Sequence, residues 1–135
     1  MREILFRGKR IEDGKWFFGS LVHRTQFYGI PADDYFILYD GEFHCDFYGS
    51  AEVDPKTLGQ YSGLTDKNGK KIFEGDICKH RSNYSGEYVI SVVTYTDGCF
   101  LAMSDNNSGF NLSDKLEIIG NIHDNPELLK GGAEE

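Results

Sequence analysis

The chain has 135 residues, 39% of them apolar and 14% aromatic, which excludes a disordered polymer because Phe, Tyr and Trp contribute large buried areas. Its net charge of −8 argues against a general nucleic-acid binder, whose affinity comes mostly from Lys and Arg neutralising phosphates. No apolar run approaches the ~18 residues of a membrane span, the apolar stretch before Arg7 is too short for a signal peptide, and the scattered Cys45, Cys78 and Cys99 make no disulfide framework. The expectation is a cytoplasmic protein of one domain or two small subdomains, with Cys78 and Cys99 as small core residues.

From the N-terminus, Ile4, Phe6 and Gly8 alternate with charged or long side chains and Asp13-Gly14 marks a turn, so the segment reads as a β-hairpin. Lys15 to His23 is its aromatic second strand, where Gly19 predicts a bulge or a close backbone approach and Trp16 a core or interface anchor. Gln26 to Pro31 reads as a loop or short edge, and Tyr35 to Tyr39 as an apolar strand to which Phe43 to Tyr48 returns. Pro55 restricts Asp54 to extended conformations, and the spacing places a boundary here, giving subdomains 1–58 and 59–135.

The second half carries the strongest signals. Asn68-Gly69 supplies the two residues of a tight turn, and Glu74-Gly75-Asp76 turns the chain again into Ile77-Cys78-Lys79. Gly86 to Tyr95, dominated by Val, Ile, Thr and Tyr, is the clearest strand; Thr96-Asp97-Gly98 turns it back into Cys99 to Met103. Leu116 to Ile122 is a last strand, followed by a short helix with Asn125 as N-cap and Pro126 at its first position. Short strands at close spacing predict an all-β fold of two small barrel-like subdomains, the second SH3-like, with a short C-terminal helix.

Gln60 to Gly69 followed by Ile72-Phe73-Glu74-Gly75-Asp76-Ile77 resembles the signature of the YopX family of phage and prophage proteins. Ile4 to Lys9 with Trp16 to Ser20, and the ending Glu117 to Leu129, fit the same pattern. The resemblance implies an all-β architecture and a phage or prophage gene. It supplies no catalytic residue and no cofactor, and none is expected.

Charge alternates along the chain: net +3 over residues 1–30, −7 over 31–66, +2 over 67–96 and −6 over 97–135. Such blocks are an ordinary solvated surface or else favour head-to-tail contacts between copies, hence a homo-oligomer, or a basic partner. The acidic block, with Asp33, Asp34, Tyr35, Tyr39, Asp40 and Glu42, is the candidate surface for an unidentified host or phage protein. Lys67, Lys70, Lys71, Lys79 and Arg81, interleaved with Tyr61, form the alternative, a weak nucleic-acid site. Glu74 with Asp76, His123 with Asp124, and Cys78 with His80 are groupings that suggest acid–base or metal chemistry, and a turn, a helix cap and core packing account for them more simply; His23, His44 and Cys45 show no zinc spacing, the adjacent His44 and Cys45 pointing to opposite faces of a strand. The sequence therefore predicts a non-enzymatic interaction or regulatory module with no membrane association.

Overall fold

The computed structural model describes residues 3–40, 48–81, 86–104 and 109–129. Its strands are β1 (Phe6–Lys9), β2 (Trp16–Phe27), β3 (Ile30–Asp40), β4 (Tyr48–Glu52), β5 (Gly59–Thr65), β6 (Lys71–Phe73), β7 (Asp76–Arg81), β8 (Tyr88–Thr96), β9 (Cys99–Met103), β10 (Gly109–Asn111) and β11 (Glu117–Asn121). A 3-10 turn at Pro55–Thr57 precedes β5, and a helical turn at 127–129 follows β11. The fold is all-β, and every strand pairing is antiparallel. The chain divides into two units, Met1–Gln60 and Tyr61–Glu135, with β5 running across the division.

In the first unit the strand order is β4-β3-β2-β1. Leu21 opposes Ile37 and Ile37 opposes Ala51, so three adjacent strands send an apolar side chain to one face. Ile37, Ala51 and Val53 are buried there, with Phe6, Phe17, Leu21 and Leu58 packed against them. The close approach expected at Gly19 is present: a Cβ there would lie 1.9 Å from the Leu38 carbonyl oxygen. Asp54 is extended as Pro55 requires, and its carboxylate accepts from the Lys56 N–H at 3.0 Å.

One expectation needs correction here. Gln26 to Pro31 is not a loop: β2 and β3 continue through it, with Phe27 opposite Ile30 and a two-residue turn at Tyr28-Gly29. Pro31 suits this strand because its position opposite Gln26 is two residues out from the turn. There a strand's N–H faces the open edge, so the missing donor costs no ladder bond. Beside β3 the described pairing is with Tyr48–Glu52, and Gly49 lies beneath the Tyr39 ring, where a Cβ would come within 2.4 Å. The return expected over Phe43 to Tyr48 lies, apart from Tyr48, outside the described residues.

In the second unit Tyr61 of β5 opposes Phe73 of β6, and a five-stranded sheet has the order β10-β9-β8-β7-β11. Ile72, Cys78, Val93, Ala102, Leu116 and Ile118 make the core, with Phe100, Phe110 and Leu112 against it. No pairing among the described residues closes this sheet into a barrel. Cys78 is a core residue, but Cys99 is exposed. It pairs with Thr96 across the Asp97-Gly98 turn, at the end of the sheet rather than over its middle. The Asn125 carbonyl starts the helical turn by accepting from the Leu128 N–H. Its side chain turns back to accept from the Asn121 N–H at 3.3 Å, so it does not cap the helix as expected.

Candidate functional site

The β2–β3 hairpin outruns its neighbours. β1 pairs with β2 only over Trp16 to Gly19, and β4 pairs with β3 only over Phe36 to Asp40. From His23 round to Tyr35 the described pairing is therefore a two-stranded ribbon. Ribbons of this kind are marginal in water without added side-chain support. The support is a tight set of cross-strand interactions. The His23 and Tyr35 rings stack with centroids 4.2 Å apart and planes 3° apart, and His23 Nε2 lies 2.7 Å from Asp33 Oδ1. Arg24 donates through both Nε and Nη2 to Asp34 Oδ2, while its guanidinium lies 4.8 Å from the Phe27 ring centre and 5.3 Å from that of Phe36.

Beyond this brace the ribbon ends in exposed apolar side chains. Phe27 is 51% exposed, Tyr28 89% and Ile30 66%, and residues 25–32 carry no charge. Tyr28 and Gly29 have φ of 50° and 81°, the double left-handed geometry of a tight hairpin turn. Asp97 and Gly98 adopt the same geometry, with φ of 52° and 81°. There the first position holds a short polar residue that tolerates it, whereas a bulky aromatic such as Tyr28 is strained in this region.

At the base of the hairpin the first unit holds a shallow groove of about 460 Å³, lined by Ile4, Leu5, Phe18, Gly19, Ser20, Leu38 and Tyr39. Ser20 opposes Leu38, and Phe18 and Ser20 share a face of β2, so a small side chain forms the floor between two large apolar walls. Farther along the same face of β2 stands Trp16, with the Arg7 guanidinium 4.8 Å and the Lys9 ammonium 5.5 Å from its ring centre.

The candidate acidic residues do not form one surface. Strand alternation puts Asp33, Tyr35 and Tyr39 on one face of β3 and Asp34 on the other; Asp40 ends the strand, and Glu42 lies outside the described residues. Asp33 and Asp34 each face a cationic or titratable group across the hairpin, and Tyr39 packs against Phe17 with centroids 4.7 Å apart.

In the second unit, Lys79 and Arg81 on β7 flank the exposed Tyr88 ring, their charges 4.8 and 5.0 Å from its centre. Arg81 donates to the Tyr88 phenol oxygen at 3.3 Å, which holds that phenol below its ordinary pKa. Glu117 lies 3.4 Å from Lys67 and 4.0 Å from Lys79, setting a carboxylate among the cations. Tyr61 is buried against Phe73, with Lys71 5.6 Å over its ring, and Lys70 is exposed.

The groups with catalytic potential have structural work. Asp76 is 1% exposed and its Oδ2 accepts from the Phe73 N–H at 2.7 Å, fixing the turn through Gly75. Burial, with help from the nearby Asp76 charge, pushes the Cys78 thiol up to about 12, so it stays protonated. His80 is buried with Nε2 3.3 Å from Ser91 Oγ and its ring edge-on to Phe110, and burial lowers its pKa. Among the described residues, no three His, Cys, Asp or Glu side chains cluster as metal ligands would. His123 and Asp124 are ordered by Asn121, whose Oδ1 accepts from both backbone N–H groups.

Sequence reasoning missed Asp66 and the hairpin tip. Asp66 is 4% exposed; its Oδ1 accepts from the Asn68 and Lys70 N–H groups, both at 2.9 Å, and its Oδ2 from Ile118 at 3.0 Å, 52 residues along the chain. The available signal was an Asp two residues before Asn68-Gly69, the spacing of an Asx turn. The tip's signal was the uncharged run 25–32 ending in Gly29-Ile30-Pro31, which fits a strand only when the open edge is known.

The fold is similar to that of a solved structure, "Crystal structure of protein EF1440 from Enterococcus faecalis", with a TM-score of 0.53 and 23% identity, covering 96% of this chain and 99% of that one. No curated protein matches the chain. The family described as YopX protein matches residues 5–130, nearly the whole chain, and this protein belongs to the YopX family.

Proposed function

We propose that this protein is a non-enzymatic interaction or regulatory module of phage or prophage origin, acting in the bacterial cytoplasm by engaging a host or phage protein through the β2–β3 hairpin tip. One observation carries the reading: Tyr28, 89% exposed, occupies a left-handed turn position that Asp97 fills in the same geometry without the steric cost. Strain at an exposed aromatic is a reason to look for function there, because folding alone favours a short polar residue at that position. Phe27 and Ile30 on either side extend the same exposed apolar surface, and aromatic anchors of this kind dominate the binding energy of protein interfaces. The structural employment of Asp66, Asp76, Cys78 and His80 supports the non-enzymatic part of the reading.

The test is capture from host lysate, with nuclease, by the tagged wild-type chain and by Tyr28→Asp. The substitution installs the side chain that the Asp97-Gly98 turn already uses, so folding is preserved or improved while the anchor is lost. A protein retained by the wild type and released by Tyr28→Asp supports the tip as the interface. Equal capture by both chains removes it.

A second reading, weak single-stranded nucleic-acid binding, has its own observation: an exposed aromatic ring, Tyr88, between Lys79 and Arg81. Glu117 among the same cations weighs against it, since it repels a phosphate that approaches Lys67 or Lys79.

A further inference from the structure

We infer that the occupant of the Ile4–Phe18–Ser20–Leu38 groove is the hairpin tip of a second copy of this chain, so that copies associate head to tail. The inference rests on the interaction reading of the tip and adds a partner to it. The tip presents Phe27, Tyr28 and Ile30 with no charge from residue 25 to 32, and the groove is lined by uncharged side chains of the same character. Its volume of about 460 Å³ accommodates one or two such side chains over the Ser20 floor. A chain cannot fill its own groove: Ser20 and Phe27 lie seven residues apart on one paired strand, a separation of about 24 Å that strand pairing holds rigid.

Charge complements the apolar fit. Asp33, with its side chain 80% exposed, stands at the shoulder of the tip. Lys9, half-buried, lies over Trp16 on the same face of β2 as the groove, with Arg7 buried against the same ring. A tip seated over Ser20 brings an acidic shoulder toward this cationic end. The two surfaces are different patches of the same chain, so the interface is heterologous and generates a ring or an open filament rather than a two-fold dimer.

The experiment is a mixing test read by light scattering on the size-exclusion peak. The tip variant is Phe27→Ser with Tyr28→Asp; the groove variant is Ser20→Arg, at an exposed position, with Phe18→Ser as its replacement should it fail to fold by circular dichroism. The wild type is expected to run as a multimer. Each variant alone is expected at the mass of one chain, 15.3 kDa, and their equimolar mixture at twice that mass and no larger, since only one intact tip–groove pair can form. A monomeric wild type, or a multimer that survives in either variant, overturns the inference. The lysate capture separates this failure from that of the interaction reading. A monomeric wild type that still loses its captured protein on Tyr28→Asp leaves the tip as an interface to another partner.

Discussion

Asp66 ties the Asn68-Gly69 turn to β11 through a single buried carboxylate. Burial raises its pKa, but the N–H groups of Ile118, Lys70 and Asn68 together outweigh that penalty and hold the pKa below the ordinary carboxylate value. Asp66→Asn replaces one acceptor oxygen by an amide donor; if Nδ2 takes the Oδ2 position, it faces the Ile118 N–H. The expected cost is about 2–3 kcal/mol, the range for losing a hydrogen bond to a charged group and leaving a buried donor unmet, measured as a lower urea midpoint at unchanged slope. The pH dependence follows from the direction of the shift. Below the unfolded pKa the unfolded chain takes up the proton more readily than the folded one. The Asp66 contribution is therefore complete above roughly pH 5 and is lost as pH falls through about 4 and below. The wild type should lose more stability over that interval than Asp66→Asn; parallel curves would mean that the carboxylate charge is not what these three N–H groups need.

The β2–β3 hairpin gathers most of what the sequence left hidden. Its proximal half was legible because Lys15 to His23 and Tyr35 to Tyr39 are short segments rich in aromatic and branched residues. Its distal half was not, since no buried face imposes a period on Thr25 to Ala32, and Pro31 ordinarily speaks against a strand. Cross-strand pairs, which a linear reading cannot see, hold that half together. Arg24 is the centre of the brace, bonded to Asp34 and covering both Phe27 and Phe36. Removing it by Arg24→Ala is expected to cost the ribbon about 1 kcal/mol, which speeds amide exchange by about fivefold. The effect should be confined to amides between His23 and Tyr35. Exchange at Ile37 and Ala51 in the core should be unchanged. A uniform rise across the first unit would mean that the ribbon and the core open together.

For the molecule as a whole, the two functional readings separate on electrostatics. The chain carries a net charge of −8, and its most evident cationic cluster, Lys67, Lys79 and Arg81, has Glu117 beside it. Family and fold class could be read from the turn-rich stretch 60–77, and the cations Lys67, Lys79 and Arg81 from their clustering along the chain, whereas the hairpin tip and the setting of those cations around Tyr88 and Glu117 could not, because strand pairing assembles them. Arg81 meets Tyr88 across β7 and β8, and Lys79 meets Glu117 across β7 and β11. A single strand neutralised at three phosphates by these cations would lose about twentyfold in affinity between 50 and 200 mM salt, because every contact releases a condensed counterion. An apolar tip seated in an uncharged pocket releases almost none, and salt that screens the repulsion between acidic surfaces slightly strengthens it. The affinity of the captured partner should therefore stay within about twofold over that range. A fall by tens would transfer the function from the tip to the Tyr88 face, and Arg81→Ala would then have to weaken binding where Tyr28→Asp does not.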